Sequence, residues 1–437
     1  MKKALIVSYN FPPVGGAGVQ RPVKFVKYLR EFGWEPVVLS VANPSVPVLD
    51  PSLLLDVPEG VKVYRARTLE PGYALKQAVT RARPGGWGRV TGALKRCAGR
   101  LLLPDLQVLW WPGLLSQLSF VLFTETPAVV LVSAPPFSSF VPVVFAARLF
   151  GVPVVLDYRD EWTFTRRNWE QSVKGRLPER VDAFLERYAL AGCRAFVAAN
   201  ESYVRSLSDS YPEAAGKGCA VTNGYDEHDL HGLTPVPRRG KAIRITYAGT
   251  VWNATSLKPF LAALELLFDR DEALWRAGRL VVEVFGRVVA EEMDHLAGHK
   301  YAACIRLNGY AQHREIMREL MDSDVLLITL SDLPGAERII TGKAFEYMAT
   351  GKHILAIVPE GETSRLLHEN YRNLTLVTSA DPEPICARLA EIARDVEELR
   401  CRAPEDVSRF TRKNLTGDLS RLFERLAFKP LPETQPR

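Results

Sequence analysis

Short apolar runs alternate along the chain with longer stretches in which apolar positions recur every three or four residues. KALIVS (3–8) is a run of the kind that a strand buried on both faces requires, and VQRPVKFVKYLREFGW follows with Val19, Val23, Val26, Leu29 and Phe32 near helical spacing. Pro22 suits the first turn of that helix, where its missing N–H costs nothing. EPVVLSV then supplies a second strand and completes a β-α-β unit. The alternation continues through AVVLVSA (128–134), a helix near 138–149, VPVVLD (152–157), a helix near 177–191 and AFVAA (195–199). Doubly buried runs separated by helices predict a parallel sheet. HGLTPVPRRGK (231–241) lacks periodicity and is rich in Pro and Gly, as linkers are. A second series starts there, with IRITYAGT, LVVEVFGR, CIRLNGY, DVLLITL, HILAIVP and NLTLVTS as strands and SLKPFLAALELLFD and HREIMRELMDS as helices.

The expected architecture is α/β, with two doubly wound Rossmann-like domains facing across a cleft, because ligands of such sheets bind beyond the carboxyl ends of the strands. The boundaries expected are an N-terminal domain at 1–232, a linker at 233–241 and a C-terminal domain at 242–404. A last helical stretch at 405–428 is placed to return to the first domain, and 429–437 is a frayed tail.

Length and composition fit two cores: 437 residues, 47% hydrophobic and 24% charged. A net charge of +6 is a small excess, suited to an anionic ligand or surface and not to a nucleic-acid coat. The six cysteines (Cys97, Cys193, Cys219, Cys304, Cys386 and Cys401) form no Cys-x-x-Cys pair, and Met-Lys-Lys runs directly into a strand, so a reducing cytoplasm is the expected home. Residues 106–124 and 126–147 are uncharged and near the ~20 residues that cross a bilayer. Gln107, Pro112, Gly113 and Gln117 interrupt the first and SAPPFSSF the second, so both read as buried strand and helix. Between Gly72 and Pro104 lie Lys76, Arg81, Arg83, Arg89, Lys95, Arg96 and Arg100 without an acidic residue, just before LLLPDLQVLWWPGLL. This segment reads either as a peripheral contact with an anionic membrane or as a solvated loop and helix face.

The candidate chemistry lies at strand ends. NFPPVGGAGVQRPVKF (10–25) places Gly15, Gly16 and Gly18 before a helix, nearly a dinucleotide fingerprint, but Arg21 stands at its third glycine and LSVAN lacks the acid that would hold a ribose. NAD is therefore not expected. What remains is a loop whose N–H groups, helix start and Arg21 fork suit an anion, or a plain tight turn. In LDYRDEW, Asp157, Arg159 and Asp160 sit at a strand's carboxyl end as general base, hydroxyl ligands or a structural Arg159–Asp160 ion pair. In ERIITGKAFEYMATGKHILAIVP, Gly342 opens a helix whose early residues are Lys343 and Glu346. Lys343 adds charge to N–H groups suited to a diphosphate, and Glu346 can accept two hydrogen bonds from a ribose diol. Asp322-Ser-Asp324 lies at a helix-to-strand junction, where such residues cap. His295 and His299 lack the glutamate of a zinc-protease helix, Leu296 being in its place, and no Gly-x-Ser-x-Gly elbow or Walker loop occurs. No metal site is expected.

In their order, SYNFPPVGGAGVQRPVKFVKYL, LPDLQVLWWP, SAPPFSS, VLDYRDEW, TNGYDEHDL, YAGT and GKAFEYMATGKHILA resemble the GT-B glycosyltransferases, specifically bacterial family 4-like enzymes of exopolysaccharide and cell-surface glycan assembly. The resemblance runs over nearly the whole length. It implies a C-terminal domain that binds a nucleotide-activated sugar and an N-terminal domain that mainly binds the acceptor. Glu346 matches the second glutamate of the family's Glu-x7-Glu pattern, which holds the donor ribose; the first position is Arg338 here, with Glu337 beside it. Gly249-Thr250 stands where many relatives have Gly-Arg, and the lysine that soon follows there is the more distant Lys258. The donor-binding residues implied are Gly15, Gly16, Gly18, Arg21, Gly249, Thr250, Gly286, Tyr310, Gly342, Lys343 and Glu346, and the catalytic ones Asp157, Arg159, Asp160 and Lys343. The reaction implied is transfer of a sugar, with retention, from a UDP- or GDP-linked donor to a hydroxyl of a glycan or lipid-linked acceptor. It needs no metal, no other cofactor and no nucleic acid, and takes place in the cytoplasm, either free or at the inner face of the cytoplasmic membrane. The alternatives are a sugar-nucleotide epimerase or hydrolase of the same fold, or a non-catalytic nucleotide-binding relative.

Overall fold

In the computed structural model, which describes residues 1–76, 102–164, 175–233 and 242–427, the apolar runs become thirteen strands in two sheets. The first holds β1 (Lys2–Ser8), β2 (Trp34–Val41), β3 (Lys62–Ala66), β4 (Val129–Ala134), β5 (Val154–Tyr158), β6 (Ala195–Ala198) and β7 (Gly218–Ala220), in the order 3-2-1-4-5-6-7. The second holds β8 (Ile243–Ala248), β9 (Leu280–Phe285), β10 (Ile305–Gly309), β11 (Val325–Thr329), β12 (His353–Ile357) and β13 (Leu374–Val377), in the order 10-9-8-11-12-13. Every pairing within both sheets is parallel. A parallel neighbour cannot be reached by a hairpin, so the helices serve as crossovers and cover the faces. In the first sheet these include α1 (Ala17–Tyr28), α2 (Trp111–Glu125), α3 (Phe140–Leu149), α4 (Arg176–Gly192) and α5 (Glu201–Ser210); in the second, α6 (Lys258–Arg270), α7 (Ala290–Ala297), α8 (His313–Met321), α9 (Lys343–Thr350), α10 (Glu362–Asn370) and α11 (Pro382–Arg400).

The chain divides into Met1–Thr222 together with Arg412–Arg437, and Asn223–Thr411. The division falls ahead of the Pro-rich segment because residues after Thr222 are already tied to the second unit: Tyr225 N donates to Phe410 O at 3.1 Å, and His313 lies 3.2 Å from Asp229. Residues 234–241 of the expected linker lie outside the described residues. The last helix, α12 (Arg412–Ala427), packs on α1. Its Leu415, Leu419, Leu422 and Phe423 share a core with Val19, Val23 and Val26, and Phe423 meets Trp34 edge to face at 5.4 Å. With the sheet on one side and α12 on another, α1 buries even Arg21 and Lys24. In the second unit α6 and α11 lie side by side over the sheet and bury Phe260, Leu264, Ile385 and Leu389.

Two details depart from the periodicity. Helix α1 begins at Ala17, so Pro22 lies inside it instead of in the first turn, and the carbonyl of Gly18 loses its helical donor. Residues 106–125 form one continuous helical stretch, a short 3-10 segment (Leu106–Trp110) running into α2.

Glu125, buried at the end of α2, accepts hydrogen bonds from Lys3 (2.9 Å), Lys62 (2.8 Å) and Tyr64 (2.6 Å) and so fastens the helix to β1 and β3. These donors pull its carboxyl group down to about 2 from the ordinary 4.5. A folded pKa below the unfolded one means the contribution is complete above about pH 4.5 and is lost as the pH falls through about 2. Glu125→Gln should therefore cost about 1 kcal/mol at pH 7, a modest figure because both lysines are partly solvated. Urea melts of the two proteins should converge on acidification; a constant difference from pH 7 to pH 3 would contradict this account.

Candidate functional site

At the carboxyl edge of the first sheet, β1 leads into a loop held by the backbone. Gly15 N donates to Val48 O at 3.0 Å and Asp50 N to Pro13 O at 2.7 Å. A Cβ on Gly15 would stand 2.8 Å from the Val48 side chain, so this glycine serves packing. Gly16, at φ 94°, caps α1 beside open space, and is the loop glycine with room for a ligand. Gly18 is backed by Arg159, whose Nη1 would lie 2.9 Å from an added Cβ.

The charges expected to work on a ligand here are instead engaged with the protein. Arg21 Nε donates to both oxygens of Asp157 (2.9 and 3.2 Å), its Nη2 lies 2.8 Å from the same carboxylate, and its Nη1 donates to Thr222 O at 2.8 Å. Ser133, opposite Asp157 in the β4–β5 register, donates to the carboxylate at 2.8 Å. The two side chains are 1% and 0% exposed. The readings of Arg21 as a phosphate fork and of Asp157 as a base are thus corrected: each is sealed inside the unit by the other. Arg159 does not hold Asp160; it donates through Nε to Ala134 O at 3.0 Å, through Nη2 to Pro135 O at 2.5 Å and through Nη1 to Gly18 O. The last is the carbonyl left over by Pro22, so Arg159 supplies the donor that the proline cannot. Asp160 is exposed at this strand end.

The second sheet's edge is built differently. Strands β8, β9 and β10 each end in a glycine with left-handed backbone: Gly249 (φ 143°), Gly286 (φ 115°) and Gly309 (φ 70°). Gly249 N donates to Phe285 O at 2.9 Å and Gly286 N to Gly309 O at 2.6 Å, and a Cβ on Gly286 would fall 2.3 Å from Gly249 O. At Gly286 only bare backbone fits. Above this row stands Lys343, the first residue of α9, its Nζ 3.7 Å from the centroid of the Tyr247 ring and 3.0 Å from where a Cβ on Gly249 would be. Among the described residues no carboxylate pairs with Lys343, so its charge rests on the ring face. Tyr247 is fixed by donating to Thr250 O at 2.9 Å, and Tyr347 from the next turn of α9 accepts from Ala248 N at 2.9 Å.

Gly342 is exposed at the start of α9. The preceding loop is held by Thr363, which accepts from Thr341 N at 3.2 Å and donates to Ile339 O at 2.6 Å. Glu346, one turn into α9, is partly exposed, with Oε1 3.8 Å from His313 Nε2, which in turn lies 3.2 Å from Asp229. Arg338 lies 3.8 Å from its neighbour Glu337. Thr250 contributes its carbonyl to Tyr247 and Thr255, and Tyr310 extends into solvent after Gly309. Lys258 is 3.4 Å from Glu292.

The discounted motifs are structural. Asp324 accepts from Arg244 N and Arg400 Nε, both at 2.8 Å, and His299 is 3.0 Å from Leu261 O. Among the described residues no three His, Cys, Asp or Glu side chains are grouped to hold a metal ion. Lys76 of the basic segment pairs with Glu70 at 2.6 Å; Arg81, Arg83, Arg89, Lys95, Arg96 and Arg100 lie outside the described residues.

Solved structures share this architecture from end to end. The Anabaena protein HepE, in complex with UDP and glucose, superposes with a TM-score of 0.63 at 12% identity, covering 97% of this chain and 100% of its own. A glycosyltransferase from Rickettsia africae gives 0.61 at 11% identity, covering 98% and 99%. The lipopolysaccharide outer core galactosyltransferase WaaB, in its apo form, gives 0.55 at 11%, covering 97% and 99%. The fold is GT-B. No protein-family model and no curated protein sequence matches the chain, so the likeness is one of fold. Within this GT-B chain, Gly309, Tyr247 and His313 stand beside the candidate residues and are not anticipated from the sequence. Gly309 was legible, since the three consecutive strands all close on a glycine, in YAG, VFG and LNG.

The buried pair of the first unit is open to test. Asp157→Asn strips Arg21 of its counter-charge in a fully buried site, and should cost about 3–5 kcal/mol. Chemical denaturation followed by circular dichroism measures it, and a loss under about 1 kcal/mol would mean that the pair is not the clamp described.

Proposed function

We propose that the chain is a retaining glycosyltransferase, moving a hexose from a UDP- or GDP-linked donor to an acceptor hydroxyl during surface glycan or polysaccharide assembly. The observation that carries this reading is the row Gly249, Gly286 and Gly309 beneath Lys343 at the start of α9. A diphosphate needs N–H groups at a helix start and a cation that no carboxylate neutralises. Helix α9 opens with Gly342 and Lys343, the latter paired with no carboxylate among the described residues. The N–H groups of Gly249 and Gly286 stay engaged with Phe285 O and Gly309 O, and these glycines contribute space. Breaking the bond from the sugar to the diphosphate leaves negative charge on the departing oxygens. A preorganised donor aimed there is worth ~3 kcal/mol. Lys343, seated on the Tyr247 ring, needs little reorganisation to meet that charge. Glu346, a turn further on, takes the ribose diol, with His313 close enough to orient it.

HepE has been solved with UDP and with UDP-glucose, which supports a nucleotide-sugar donor for this chain. In this reading the first unit mainly binds the acceptor, with Gly16 and Asp160 as its exposed candidates. The charge on the leaving group is met by protein groups without a metal ion, and the enzyme works in the cytoplasm.

Purified protein incubated with UDP- and GDP-sugars should release nucleotide only when a glycan or polyprenyl-linked acceptor is present. Release without acceptor would favour an epimerase or hydrolase, and binding without turnover a non-catalytic relative. Lys343→Met should lower kcat ~100-fold or more. Glu346→Ala should weaken donor binding by ~1.5–3 kcal/mol in calorimetry with kcat less affected. Excess EDTA should leave the rate unchanged. Full activity in Lys343→Met would remove the basis of the proposal.

A further inference from the structure

Helices α2 and α3 are poor in charge: each contains a single charged residue, Glu125 and Arg148, near its end, and α2 adds the uncharged polar Ser116, Gln117, Ser119 and Thr124 to an otherwise apolar sequence. Such helices belong in the centre of a large core or in lipid. Here they form the outside of the first unit, with α3 packed between α2 and α4. The stretch Leu106–Glu125 has the length and apolarity of a membrane span, yet only 28% of its most apolar window is buried. Phe120 (54%), Phe123 (76%), Phe145 (51%), Leu149 (71%), Phe150 (41%) and Phe184 (67%) stand exposed along the three adjacent helices. Side-by-side helices lie ~10 Å apart, so the patch extends across roughly 20 Å. Patches of this size on a soluble surface mark contact sites.

We infer that the outer face of the α2–α3–α4 layer docks on an anionic lipid bilayer and inserts its phenylalanines at the headgroup boundary. Charge selects this occupant. Arg148 and Arg180 are exposed among the apolar side chains, Arg187 is paired with Glu213, and Glu179 is the one exposed acid of these three helices among the described residues. Glu125 is held by Lys3 and Lys62. An apolar face with a cationic excess complements anionic headgroups. A second copy of this chain would bring the same excess against itself in a two-fold contact, an arrangement that charge disfavours. The stretch does not leave the unit to span a bilayer: Trp110 donates to Ala66 O at 3.1 Å, Trp111 to Ser138 O at 2.8 Å, and a Cβ on Gly113 would fall 2.1 Å from Arg67 O.

The test is independent of catalysis. The full chain is sedimented with phosphatidylcholine vesicles with and without phosphatidylglycerol. It should partition to the anionic vesicles, and Phe123→Ser with Phe145→Ser should reduce partitioning at least ~10-fold, the scale of losing two phenylalanines from an apolar phase. Arg148→Glu should weaken binding to the anionic vesicles and leave the neutral ones unaffected. Unchanged thermal melts would show the variants folded, as expected for exposed positions. The inference is overturned if the wild type stays in the supernatant or the double variant binds equally. It is also overturned if light scattering shows a dimer that the double variant abolishes while vesicles are ignored.

Discussion

Because all strands in each sheet are parallel, every strand in a unit delivers its carboxyl end to the same edge, and every return path must be a helix or loop on the faces. That constraint gathers Asp157 and the Gly16 loop on one edge, and Gly249, Gly286, Gly309 and Lys343 on the other. Residues nearly a hundred positions apart, such as Gly249 and Lys343, become neighbours through topology alone, close enough that a Cβ on Gly249 would meet the Lys343 side chain. The reversal of strand order between β1 and β4, and again between β8 and β11, opens a place at each edge where loops diverge.

The two edges use charge in opposite ways. In the first unit an arginine and an aspartate neutralise each other in a buried interior, and a second arginine satisfies backbone carbonyls. Such groups cannot serve a ligand without abandoning partners whose loss would leave a charge buried. In the second unit the cation rests on an aromatic face, an interaction weak enough to leave its positive field available. Whether a charge is left available depends on what the fold places beside it, and a residue's type does not reveal this.

That difference explains what was legible in the sequence. Strand runs and helix periods follow from local patterns of burial, and the two-sheet architecture followed from them. The left-handed glycines after the strands and the place of Lys343 at a helix start were readable because turn glycines and helix starts are local properties. Arg21 was read as a fork for an anion, whereas the carboxylate it holds, Asp157, belongs to a strand 136 residues further along. The helix packed on α1, α12, likewise comes almost four hundred residues later. A signal did exist: Arg21 and Lys24 interrupt a run otherwise suited to burial, and a charge at such a position implies a partner. For Lys24 that partner is Asp56, at 3.0 Å.

Pro22 shows how such non-local couplings arise. A proline inside a helix leaves one carbonyl unsatisfied four residues earlier, and a buried carbonyl without a donor is costly. In α1 that carbonyl belongs to Gly18, at the opening turn beside the cap glycine. Arg159 fills the vacancy and takes two further carbonyls on the β4–loop side. The lack of a side chain at Gly18 lets the guanidinium come that close, so glycine, proline and arginine act as one unit that ties α1 to β4 and β5. Read one at a time, the same three residues look like a phosphate loop, a helix start and a catalytic cation. Their proper reading requires asking, for each missing donor, which side chain replaces it.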